Sequence, residues 1–141
     1  MAILEIGIGS FIGTIFMSLF SYFMSDLVSE KLGEATLLNM LIENANNSSV
    51  NPIVGWIVHW LFGVFFSIIS YVVFIYVAIL PLWVTSVLTG ALSGIIGIIG
   101  WLIMFYLHPR PPKLNFPLFF KQLFVAHILF ALGAFLSFHI F

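Results

Sequence analysis

From Ile53 to Leu107 the chain carries no Asp, Glu, Lys or Arg. Drawn out as one helix at about 1.5 Å per residue, that stretch would reach about 80 Å. The hydrocarbon layer of a bilayer is only about 30 Å thick. So long a charge-free segment cannot cover a water-facing surface, so it must cross a membrane and fold back once. Pro81 marks the reversal, because proline suits the first turn of a helix, where its missing N–H leaves no bond unmade. The pattern predicts spans over about 53–77 and 81–107.

The remaining spans follow from the same argument. In hydrocarbon every backbone N–H and C=O must be satisfied within the protein, which leaves helices or closed barrels. The alternation of about ten residues expected of barrel strands is not seen. A first apolar run predicts a helix over about 4–25. It reads as a retained helix rather than a signal peptide, because Met1–Glu5 has no basic residue and no small-x-small site precedes Asp26. Pro109, Pro111 and Pro112 keep the segment from His108 to Lys113 out of helix. Asn115 then stands as an N-cap before Pro117 and a last span over about 117–139. The expected fold is an all-α integral membrane bundle of four transmembrane helices, forming one membrane domain over 1–141. Composition agrees: 6% of residues are charged, against about a quarter in soluble domains. Trp56, Trp60, Tyr76, Trp83, Tyr22 and Tyr106 fall at predicted span ends, where headgroups favour Trp and Tyr.

Lys31, Arg110, Lys113 and Lys121 all belong to the side that holds the two longer loops. By the positive-inside bias those loops are expected in the cytoplasm and both termini outside. In the first loop, Leu37, Leu38, Leu41, Ile42 and Ala45 form one helical stripe, with Glu34, Asn39, Glu43 and Asn46 largely off it. Residues 34–46 are thus expected to form a short amphipathic helix, either lying on the cytoplasmic membrane face or packed on the bundle as a cap. A net charge of −1 gives no reason to expect a nucleic-acid partner. The absence of cysteine excludes disulfides, thiolate metal sites and covalently attached haem.

Membrane helices associate through close packing, which favours small residues at spacing four. The first span has Gly9, Gly13, Thr14 and Ser18, and the third has Ser86, Gly90 and Gly94, with Ser93 and Gly97 alongside. These two helices are expected to make the closest contacts in the bundle. The halves of the chain also echo one another. Gly13 to Tyr22 matches Gly97 to Tyr106, and His59-Trp60-Leu61-Phe62-Gly63 matches His127-Ile128-Leu129-Phe130-Ala131. That echo suggests two tandem halves related by an axis along the membrane normal.

Gly13-Thr14-x-x-Met17, Gly55-Trp56-x-x-His59-x-x-x-Gly63-x-x-Phe66, Pro81, His108-Pro109 and His127-x-x-Phe130 together span nearly the whole chain. The set resembles an uncharacterised family of small bacterial four-helix integral membrane proteins, a domain of unknown function. Ala131 departs from the pattern where a glycine is expected. The resemblance implies topology and a bacterial inner membrane, and it implies no activity.

His59 and His127 are the ionisable groups to explain, because burying such a side chain in a membrane is costly. They lie seven residues after Pro52 and ten after Pro117, on parallel spans, so their depths differ by about 5 Å. Gly55 and Gly63 flank His59 at spacing four and would leave a groove around its ring. Three readings fit. Each imidazole bonds a carbonyl or hydroxyl of a neighbouring helix, with Ser18, Ser93 and Thr14 available. Or the pair ligates haem b, with Arg110, Lys113 and Lys121 neutralising propionates. Or they hold the polar head of a small molecule or lipid, or relay a proton, in a cleft open to the cytoplasmic leaflet, the same cations serving as anion or headgroup contacts. His108 is expected to be an ordinary loop residue and His139 interfacial. The nearest approach to an intramembrane protease motif is Gly90-x-x-Ser93-Gly94, too little for that chemistry. A non-enzymatic accessory subunit, in contact with lipid and with other membrane protein subunits, is the first expectation. A haem b or small-molecule and lipid-binding subunit using His59 and His127 is the alternative.

Overall fold

The computed structural model describes residues 2–77 and 80–141. The described residues form five helices: α1 (Ala2–Val28), α2 (Glu34–Asn46), α3 (Ile53–Tyr76), α4 (Leu82–Leu107) and α5 (Phe116–Ile140). No strand occurs among the described residues. All except α2 are long and apolar enough to cross a membrane, so the chain is an all-α bundle of four such helices. Residues 78 and 79, in the turn expected before Pro81, lie outside the described residues. Pro81 is the N-cap of α4, and its carbonyl accepts the Thr85 N–H at 3.0 Å. At the start of α5 the Asn115 side chain accepts the Leu118 N–H at 3.2 Å, capping one of the donors that a helix leaves free.

The core forms around α5. Its buried small residues, Ala126, Ala131, Gly133, Ala134 and Ser137, let neighbouring backbones come close. On one side α1 crosses it where glycine meets glycine: a Cβ on Gly133 would stand 3.2 Å from the Gly13 Cα. On the other side Gly90 of α4 lies against the Ile128 backbone, with no room for a Cβ. The glycine-rich helices α1 and α4 make the most extensive contacts, each with α5, although the tightest glycine approach is that of Gly55 on α3 to the Ala35 carbonyl of α2. The α1–α4 pair shares no extensive contact. Phe119, Phe130 and Phe135 fill the space around α5 and are almost wholly buried.

The sequence echo does not extend to the packing. Gly13 and Gly97, equivalent in the two halves, both pack on α5, against Phe130 and His127. A two-fold relation would make the α1–α5 and α3–α4 interfaces alike. The first is extensive, and α3 and α4 touch only sparingly.

The α2 helix is a docked cap rather than a helix lying on a lipid surface. Leu37, Leu38 and Leu41 are buried, and α2 packs mainly on α3. The polar residues expected off its apolar stripe correct the sequence reading, because Glu34 and Asn39 also face inward. Asn39 Oδ1 accepts the Gly55 N–H at 3.2 Å, a first-turn donor of α3 that has no partner within its own helix.

Candidate functional site

A cavity of about 560 Å³ opens where α3 and α4 fail to close on each other. Its walls are mostly hydrocarbon and aromatic. Leu61, Phe62 and Phe65 of α3 and Ile96 of α4 line it while remaining exposed on the outer face of the bundle. The mouth therefore lies on the side that a bilayer would cover. Inside, Thr14, Glu34, His59 and His127 reach the cavity from α1, α2, α3 and α5. His59 is six residues into α3 and His127 eleven into α5, so both stand in the half nearer the α2 cap. The shared depth expected from the sequence does bring the two histidines to one space.

The two rings are held differently. His59 Nε2 and the Ser18 hydroxyl of α1 are 3.2 Å apart, a bond to a neighbouring helix as expected. His127 Nδ1 is 2.9 Å from the Leu123 carbonyl of its own helix. A carbonyl can only accept, so Nδ1 carries the proton, and in the neutral ring Nε2 is left as an acceptor. Among the described residues no side chain or backbone donor reaches that Nε2. It packs against α4, where a Cβ on Gly97 would come within 2.7 Å of it.

A second polar cluster closes the cap-side end. The Ser21 hydroxyl donates to Glu34 Oε1 at 2.6 Å, and Gln122 Nε2 lies 2.6 Å from Ser21 Oγ and 3.1 Å from Glu34 Oε1. Glu34 is 1% exposed. Burial pushes its carboxyl up to about 7, against the lowering effect of its hydrogen bonds with Ser21, its own backbone and Gln122. Glu34 Oε2 and the Thr14 hydroxyl, both buried, have no partner among the described residues. Two of the groups that reach the cavity thus keep hydrogen-bonding capacity the protein does not use.

No family model, curated protein or solved structure matches the chain. The site therefore has to be read from its own chemistry.

The other expected site residues fall elsewhere. A Cβ on Gly55 would meet the Ala35 carbonyl of α2, and one on Gly63 would meet Thr14 Oγ1. Gly55 thus serves helix docking rather than a groove for a ligand, while Gly63 does both, because it also lines the cavity. Arg110 is not turned toward the histidines: its guanidinium donates to Asn47 Oδ1 at 3.0 Å and reaches the Ala45 carbonyl at 3.5 Å, at the C-terminal end of α2. Lys113 and Lys121 are exposed and do not line the cavity. His108 is more than a loop residue. Its Nε2 donates to the Leu41 carbonyl at 2.8 Å and its Nδ1 accepts the Arg110 N–H at 3.1 Å, tying the last connector to α2. His139 is exposed in the last turn of α5.

Haem b fits this arrangement poorly. Two axial imidazoles need Nε2 atoms facing each other across an open plane, and here one is bonded to Ser18 and the other is pressed on Gly97. Among the described residues no three His, Asp or Glu side chains come together to hold a metal ion.

Glu34 and Trp101, like the apolar wall residues Phe62, Phe65 and Ile96, were not placed at the site by sequence reasoning. Glu34 was legible: it lies four residues before Leu38 and seven before Leu41, which puts it on the buried face of α2. Trp101 gave no such signal, because tryptophan near a span end reads equally well as an interfacial anchor.

Proposed function

We propose that this small polytopic membrane protein binds an amphipathic, lipid-like molecule in the cavity between α3 and α4. One observation carries the reading: an apolar cavity rimmed by exposed Leu61, Phe62, Phe65 and Ile96 has Glu34 and Thr14 among its wall residues, each with a buried oxygen that has no partner among the described residues. Ligand sites are typically concave and apolar, with a few polar groups that fix orientation. A molecule with one apolar chain and one polar head matches both parts.

The accessory-subunit reading rests on the exposed apolar girdle, and lipid covers such a girdle equally well. The cavity has no such ready explanation, so ligand binding is preferred. Its setting is a bacterial inner membrane, with α2 and the last connector in the cytoplasm. Support comes from the family resemblance for the first and from the cations Lys31, Arg110, Lys113 and Lys121 for the second.

Photolabelling tests the site. An alkyl diazirine amphiphile reconstituted with the protein should label Phe62, Phe65 and Ile96 above all other lipid-facing positions. Gly100→Leu should abolish that preference: Gly100 lines the cavity and has open space where a Cβ would stand, so a larger side chain there takes up cavity volume. Uniform labelling of the helix faces, unaltered by Gly100→Leu, would overturn the reading. Because the chain has no cysteine, Lys113→Cys is a single reporter of sidedness. It should react with an impermeant maleimide in inverted vesicles and not in intact spheroplasts.

A further inference from the structure

We infer that the head of the ligand is a cationic amine, a conclusion that rests on the cavity being a site for amphiphiles. The hydrogen-bonding capacity left unused there is mainly that of acceptors. Among the described residues Glu34 Oε2 has no partner, whereas His127 Nε2, also an acceptor, is packed on Gly97. Thr14 is the one free hydroxyl on the wall that can also donate. A head with N–H groups gives the ionised Glu34 carboxylate the donor it lacks, whereas a head that only accepts meets the Thr14 hydroxyl and leaves that carboxylate without one.

Charge narrows the class further. Among the described residues no Lys or Arg lines the cavity, and Glu34 is its one carboxyl group. A fatty acid or phosphate head would set like charge against Glu34 with nothing to neutralise either. An ammonium instead supplies the partner that a buried carboxylate lacks. Phe62, Phe65, Phe66, Trp101 and Phe130 surround the same space, and aromatic faces attract a desolvated cation. The apolar rim accommodates the alkyl or aryl body of the molecule.

Binding then exchanges one cation for another. The ammonium enters with its charge, the Glu34 carboxyl ionises, and one proton leaves to solvent, so net charge in the cavity is unchanged. Ser21 on α1 and Gln122 on α5 bond Glu34, and the titratable residues that share the cavity with it are His59 on α3 and His127 on α5. Tyr22 is held away by its bond to Thr36, and no charged side chain contributes to the shift of Glu34.

Four radiolabelled probes with the same C12 chain separate the possibilities: dodecylamine, dodecan-1-ol, dodecanoate and a dodecyl benzoquinone. Each is measured on protein in nanodiscs, and retention by Gly100→Leu is subtracted to remove simple partition. At pH 8 dodecylamine should bind at least tenfold more tightly than dodecanol, and dodecanoate should not be retained above the Gly100→Leu level. Glu34→Gln should weaken the amine tenfold or more, with circular dichroism and thermal unfolding like those of the wild type showing that the variant is folded. Should Glu34→Gln not fold, the wild-type protein gives the same information. With the carboxyl at about 7, amine affinity should rise about tenfold from pH 6 to pH 8 while dodecanol is unaffected. Dodecanol or the quinone binding as well as the amine would overturn the amine and leave the site standing. Equal retention of all four by wild type and Gly100→Leu would overturn the site itself.

Discussion

Glu34 makes the docking of α2 sensitive to pH, with a sign and a size that follow from its burial. The carboxyl stands at about 7 in the folded protein against an ordinary value of 4.5. When α2 lifts off the bundle, Glu34 meets water and regains the ordinary value. The docked state therefore holds the proton more tightly, and protonation favours docking. Stability from this source is complete below about pH 4.5, falls as pH rises toward 7, and is level above that. The full difference of about 2.5 pKa units corresponds to about 3 kcal/mol, or a factor of about 300 in the opening equilibrium. Hydrogen exchange of the α2 amides, corrected for the intrinsic pH dependence of exchange, reads that equilibrium directly. Protection of residues 37–42 should decline by two to three orders of magnitude across the interval in the wild-type protein. In Glu34→Gln, which keeps the shape and cannot ionise, it should be level. Protection that is independent of pH, or that rises with pH, in the wild-type protein would refute the reasoning.

Other consequences concern packing. Gly55→Leu drives a side chain into the Ala35 carbonyl and should weaken α2 docking by about 1–3 kcal/mol, whereas Gly7→Ala, with open space at its Cβ, should be neutral or slightly stabilising in thermal unfolding. His108→Ala removes the bond to the Leu41 carbonyl and should cost about 1 kcal/mol, seen as faster exchange at the end of α2 with α5 unchanged. Protein purified from cells supplied with haem should show no Soret band. A band lost in both His59→Ala and His127→Ala would mean that the rings rearrange to ligate iron.

The spans were legible because hydrophobic length is a local property, and each observed end falls within a few residues of the pattern. The central position of α5 was not. In lipid the buried and the exposed faces are both apolar, so hydropathy, which is similar for all four spans, does not mark the helix that the others surround. The small residues Ala126, Ala131, Gly133, Ala134 and Ser137 carried that signal, and they are less conspicuous than the glycines of α1 and α4. For the site, the common depth of His59 and His127 followed from counting residues along parallel helices. The partners of Arg110 and His108 depended on how the last connector folds over α2, which no spacing rule specifies. Glu34 was misassigned because charge outweighed position, although its register with Leu38 and Leu41 pointed inward.

The sparse meeting of α3 and α4 gives the cavity an unusual competitor. An opening that faces hydrocarbon is never bathed in water, so the molecule that enters in the absence of any specific ligand is an acyl chain of the surrounding bilayer. A ligand must displace that chain, and its occupancy follows its mole fraction in the membrane rather than its concentration in water. Dilution of the bilayer with inert lipid, at constant total ligand, should therefore empty the site. The same operation leaves an aqueous-facing pocket of equal affinity full only if its ligand does not partition. For the proposed ligand binding, the ratio of ligand to lipid is thus as much a variable as pH or salt.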